Sequence, residues 1–179
     1  MSVKYTRVRS KKELEEILDL QKKNLPNQLT NHEKQKEGFV TISHSMELLD
    51  RMNTKCAHII AKDKGKVIGY ALCMHPDFSK EIPILFAMFE KIREVLPEKQ
   101  SFIVMGQICI EKLYRGQGIF RGLYSFMKQV TASEYPNIIT EVDGTNLRSL
   151  HAHYAVGFTL LKSYSADSKD WKLISMVTQ

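Results

Sequence analysis

Cysteine is scarce in this chain: Cys56, Cys73 and Cys109 make up the whole set, and none forms a C-x-x-C pair. That spacing excludes a disulfide framework and a zinc ribbon. Each cysteine lies in or beside an apolar run, the pattern of a reduced, buried thiol. Long apolar stretches are missing as well. The longest, residues 82–89, falls far short of a bilayer span. The opening residues M-S-V-K-Y-T-R-V-R-S carry no apolar leader, so a cytoplasmic location with no membrane partner is expected. No run of five basic residues occurs, which excludes a nucleic-acid-binding tail. Lys and Arg outnumber Asp and Glu by 26 to 20, and this net charge of +6 weakly favours an anionic partner. Internal repeats, low-complexity tracts and linkers are absent too.

What is present suits one soluble domain over residues 1–179. A chain of this size buries roughly 70% of its unfolded surface, enough for a true core. Residues 4–8 alternate weakly as a first strand. Ser10-Lys11-Lys12-Glu13 fits a capping box, and a helix then runs to Asn24-Leu25-Pro26. Residues 27–38 read as loop and 43–52 as a short second helix. Strands over 56–61 and 66–74 flank the turn Lys62-Asp63-Lys64-Gly65. Leu85, Met88, Phe89, Ile92 and Val95 recur at helical spacing, giving a helix over 82–96 with Pro83 near its start and Pro97 as its stop. Strands follow at 102–110 and 138–142, each leading into a helix, and strands over 158–163 and 171–177 close the chain. The order is β-α-α-β-β-α-β-α-β-α-β-β, a mixed sheet covered by helices.

The stretch with the most chemistry is L-Y-R-G-Q-G-I-F-R-G-L, residues 113–123, set between a strand and a helix. Gly116 and Gly118 permit backbone conformations that a side chain forbids. The helix start that follows carries unpaired N–H donors and about half a positive charge. Such a turn suits a phosphate or pyrophosphate, with Arg115 and Arg121 placed to add charge-assisted bonds. A Walker loop needs Gly-Lys-Ser/Thr, but Ile119-Phe120 follow Gly118. A dinucleotide fingerprint needs glycine at position 121, which is Arg.

The turn has company. R-G-Q-G-I-F after a strand, then N-x-x-S-x-x-x-H-x-x-x-G-F downstream (Asn146, Ser149, His153, Gly157, Phe158), resembles the GNAT superfamily of N-acetyltransferases. The hairpin strand Lys66-Val67-Ile68-Gly69-Tyr70-Ala71 resembles that family's strand before the turn. The resemblance covers residues 56–161 and implies an α/β GNAT-like fold, a mixed and mostly antiparallel sheet flanked by helices. It implies acetyl-CoA as cosubstrate and no metal. The amides of Arg115, Gly116, Gln117, Gly118, Ile119 and Phe120 would hold the pyrophosphate. The backbone of Ile108, Cys109 and Ile110 would pair with the pantetheine arm, and Asn146 belongs to the same binding set. Phe120 departs from the small residue usual there, and its ring is free to turn toward Tyr124. Helix 82–96 departs from the short connection of many relatives and reads as a packed insertion. The partner is a small-molecule or peptide amine, with Glu37 and Phe39 in the region that lines the acceptor pocket in relatives. The resemblance also allows a homodimer.

Acyl transfer to an amine needs a neutral nitrogen, a polarised carbonyl and a proton for the departing thiolate. The family's acid is often a tyrosine four residues before the Gly-Phe; here His153 stands there and Tyr154 follows. Asn146 and His153 are seven apart and share a helix face, whereas Tyr154 aligns with Leu147 and Leu150. His153 is thus expected to face the cofactor and Tyr154 to pack in the core. His151-x-His153 puts two imidazoles on different sides of a helix, so no metal site is expected. Glu141 is a candidate base, with a water chain as the alternative. A non-catalytic acyl-CoA-binding module of the same fold is the rival reading.

Overall fold

The computed structural model describes residues 2–25, 40 and 42–179. Strands β1 (Lys4–Arg7), β2 (Ile59–Asp63), β3 (Lys66–Met74), β4 (Ile103–Ile110), β5 (Asn137–Asp143), β6 (Thr159–Ala166) and β7 (Lys169–Val177) form one sheet. Their order is β1-β2-β3-β4-β5-β7-β6. Strands β4 and β5 run parallel, while β1–β2, β2–β3, β5–β7 and β7–β6 are antiparallel. Among the described residues the flanking α-helices are α1 (Lys11–Lys23), α2 (Met46–Lys55), α3 (Phe86–Val95), α4 (Ile119–Thr131) and α5 (Leu147–Tyr154). Among the described residues the succession of strands and helices is the one the sequence pattern predicts, and the loop expected over 27–38 lies outside them. The chain divides into two compact units, residues 1–73 with 106–127, and residues 74–105 with 128–179.

In the first unit, α1 begins with the expected capping box: Ser10 accepts from the Glu13 amide, and Glu13 Oε2 accepts from the Ser10 amide at 3.1 Å. The helix buries Leu14, Ile17 and Leu20 in a core with Leu49, Ile60, Tyr70, Leu72 and Cys109. Ser45 caps the start of α2, which runs to Lys55 and ends on Cys56, whose amide donates to Met52 O. The second strand consequently starts at Ile59 rather than at 56. The β2–β3 turn carries left-handed Lys64 (φ 48°) and Gly65 (φ 84°), the geometry of a two-residue hairpin. His58 is fully buried, bonded through Nε2 to Leu49 O and through Nδ1 to the Cys73 amide. Burial pushes its pKa down to about 4, so the ring is neutral. Gly122 of α4 lies against the Tyr5 ring, which occupies the space a Cβ would need.

In the second unit, the helix expected over 82–96 is shorter. A 3-10 turn at Pro76–Lys80 and another at Pro83–Leu85 precede α3, which starts only at Phe86. Prolines lack the N–H that a continuous helix uses, so both turns open on one. Met88, Phe89 and Ile92 are buried, and Glu94 accepts from Lys91 and from Lys162 of β6. The insertion is packed. All three cysteines are buried, and none is in a disulfide.

Candidate active site

Gly116 (φ 73°) and Gly118 (φ 80°) both adopt the left-handed region on either side of Gln117, and α4 opens at Ile119. All three turn residues are exposed, and a Cβ added at either glycine would meet no atom within 4 Å. The turn is therefore open to solvent ahead of a helix start, and the first N–H groups of a helix favour an anion. Ile119 is buried beneath it, and the half-buried Phe120 ring lies edge-on to Tyr124 with centroids 5.1 Å apart. Phe120 thus turns toward the core, as expected.

The Arg115 side chain has a different orientation from the one expected. Its Nε donates to Ile110 O at 3.0 Å, and its terminal nitrogen donates to Asn24 Oδ1 at 2.6 Å. The guanidinium braces the turn onto the end of β4 and the end of α1. Gln117 Nε2 adds a bond to Leu113 O at 2.9 Å. Along β4, Cys109 is buried while Ile108 and Ile110 are half-buried. Cys109 O lies close to Gly69 of β3, where an added Cβ would approach it to 3.2 Å. Burial raises the Cys109 thiol to about 12, so it remains protonated and is no nucleophile.

In the second unit, the α5 faces are reversed from expectation. His153 is 2% exposed, whereas Tyr154 is 41% and Leu147 58% exposed. The helix has only eight residues and buries Leu150 with His153, an i, i+3 stripe. The line Leu147–Leu150–Tyr154 is therefore not the core face, and Tyr154 does not pack inside. His153 Nδ1 lies 2.7 Å from Ser149 O, and a carbonyl only accepts, so the ring proton sits on Nδ1. The ring packs edge-on against Phe158. Burial pushes its pKa down to about 4, and the imidazole is neutral at pH 7. Asn146 caps α5, its side chain accepting from the Ser149 amide at 3.1 Å. Its carboxamide oxygen is committed to the helix.

Glu141, on β5, is not a solvated strand carboxylate. It is partly buried and accepts a short hydrogen bond from Tyr164 of β6. Burial raises its pKa to about 7, and the Tyr164 bond pulls in the other direction. Tyr164 carried no signal in the sequence, because β6 pairs with β7 and reaches β5 only through a side chain. Asn24 was legible only as a helix stop. Glu37 and Phe39 lie outside the described residues. Among the described residues no group of three or more His, Cys, Asp or Glu could hold a metal ion.

A strand–glycine turn–helix of this form, in a sheet of this order, defines a class: the acyl-CoA N-acyltransferase fold. The family model described as "Acetyltransferase (GNAT) family" matches residues 14–158, and the chain belongs to that family. No curated protein sequence matches it. Solved structures do. The NatC complex bound to Gag peptide and CoA aligns with a TM-score of 0.66 at 15% identity, covering 99% of both chains. The ribosomal-protein-S18-alanine N-acetyltransferase of Escherichia coli aligns at 0.65 and 10% identity, covering 99% of this chain and 95% of that one. A phosphinothricin acetyltransferase of Sinorhizobium meliloti in complex with AcCoA aligns at 0.64 and 18% identity, covering 99% and 89%. At these identities the likeness is one of fold. No helix among the described residues is long and apolar enough to cross a membrane.

Proposed function

We propose that this GNAT acetyltransferase moves the acetyl group of acetyl-CoA directly to a primary amine, without an acyl-enzyme. The observation that carries this reading is the exposed turn with left-handed Gly116 and Gly118 ahead of α4. It fits a pyrophosphate: the glycines leave room at the helix start, and amides 116–120 can converge on an anion. The backbone of Ile108, Cys109 and Ile110 takes the pantetheine arm. When bound, acetyl-CoA supplies the activated acetyl thioester. The high thiol pKa of Cys109 supports attack by the acceptor itself.

The proton chemistry then divides between two groups. Glu141, with a pKa of about 7, accepts a proton from the incoming ammonium so that a neutral nitrogen attacks. The exposed Tyr154 hydroxyl gives a proton to the departing thiolate. His153 serves this poorly, since its Nδ1–H is bound to Ser149 O and burial opposes the imidazolium. Its part is to hold α5 in place. Three reduced cysteines suit a cytoplasmic setting. The acceptor is a small-molecule or peptide amine, the two kinds named for similar folds.

The test is a calorimetric titration with acetyl-CoA, followed by thiol release with an alanine-initiated peptide and phosphinothricin as probe amines. Binding with amine-dependent release is the expected result. A flat titration at millimolar acetyl-CoA overturns the reading. The neutral, buried His153 at the acid's usual place favours one alternative, a non-catalytic acyl-CoA-binding module. Binding without release from any amine would assign it.

A further inference from the structure

The glycine turn has little packing of its own, yet Arg115 at its start is tied down, and one of the groups that ties it is the Asn24 side chain. Asn24 is 6% exposed and ends α1. Its Nδ2 donates to Leu20 O at 2.8 Å, and its Oδ1 accepts from Arg115 at 2.6 Å. Both partners allow only one assignment of the amide, because a carbonyl only accepts and a guanidinium only donates. Asn24 O also accepts from the Val40 amide at 3.2 Å. One side chain therefore joins a helix end to the start of the turn, and its main chain joins the same point to Val40. The second arm of Arg115, Nε to Ile110 O, ties that point to β4.

We propose that Asn24 is a positioning residue for acetyl-CoA: it fixes the Arg115 guanidinium sideways, away from the anion, so that the amides of 116–120 keep the shape that grips the pyrophosphate. This rests on the acetyl-CoA reading above. A hydrogen bond to a charged group that is buried at one end is among the stronger ones, so its loss is felt in the shape it maintains. The Asn24 oxygen is the feature that matters to Arg115; the Asn24 nitrogen matters to α1.

Isothermal titration of acetyl-CoA into the full chain tests this, with the melting temperature of the free protein measured alongside. Asn24→Leu should weaken binding roughly tenfold or more. Asn24→Asp keeps an acceptor for Arg115 and should recover most of the affinity. Both variants lose the Leu20 bond, and only Asn24→Leu also loses the Arg115 acceptor, so a binding loss shared by both belongs to the end of α1 and the excess in Asn24→Leu belongs to Arg115. Arg115→Met should weaken binding in the unaltered chain, and should add little on top of Asn24→Leu. Unchanged or tighter binding by Asn24→Leu, as when a released Arg115 swings onto the phosphates, overturns the proposal. So do full additivity of the two substitutions and an affinity loss in Asn24→Asp as large as that in Asn24→Leu. If Asn24→Leu fails to fold, the Asn24→Asp and Arg115→Met pair decides: equal losses in both overturn it. A flat titration with the unaltered chain overturns the acyl-CoA reading and this proposal with it.

Discussion

The glycine turn and the α5–β5 region, the two places to which the proposed function assigns chemistry, are built by opposite means. The turn is exposed, and its chemistry comes from main-chain geometry at Gly116 and Gly118. The groups on α5 and β5 are side chains whose properties are set by burial: His153 is pushed down to about 4 and Glu141 up to about 7. Backbone chemistry tolerates many sequences but no violation of its few glycines. Side-chain chemistry is tuned by every neighbour, so it changes when one hydroxyl is removed.

The comparison can be broken most sharply at the turn. Gly118→Asp should reduce acetyl-CoA affinity by roughly a hundredfold or more, measured by calorimetry. Aspartate tolerates a left-handed φ better than most residues, so the loss comes from its charge facing an anion. Retained affinity would refute the cradle. On the other side, Tyr154→Phe should lower kcat by about a hundredfold while leaving the cofactor Kd unchanged. His153→Ala should instead lower the melting temperature, with a smaller effect on kcat. Were the two variants to exchange phenotypes, His153 would be the acid after all.

A smaller effect sharpens the electrostatic half. Turnover should rise with pH through about 7 as Glu141 loses its proton. Tyr164→Phe removes a bond that favours the carboxylate, so that rise should move to higher pH. A shift to lower pH, or none, in kcat/KM against pH would separate Tyr164 from Glu141. A further effect concerns stability. His44, His58 and His153 are each lowered from 6.5 to about 4 by burial. The unfolded chain takes up these protons first as pH falls. Stability contributed by the neutral rings is therefore complete above about 6.5 and is lost between there and 4. The urea midpoint should drop between pH 7.5 and pH 5, and a flat profile would contradict it.

The same contrast explains what the sequence made readable. Ser10 and Glu13, Lys64-Gly65 and Gly116-x-Gly118 are local devices, and local spacing predicted each of them. The α3 start was misjudged because Leu85 fits a helical stripe, yet Pro83 places it in a 3-10 turn. The Tyr154 face was misjudged because helical periodicity ranks residues by polarity. It did not anticipate that a histidine bonded to Ser149 O would fill the core while Leu147 stayed exposed. The Arg115–Asn24 bond spans 91 residues, and the Glu141–Tyr164 bond links strands that are not neighbours. No spacing rule reaches either.

The contact of Tyr5 with Gly122 carries a last consequence. A phenol ring fills the footprint of a missing methyl group, so the opening strand meets α4 by shape at this side chain while its backbone pairs with β2. Alanine at position 122 would push the phenol aside, while β1 stays paired with β2 over Lys4–Arg7. The smallest residue on α4 is thereby the seat for one ring of the chain's first strand.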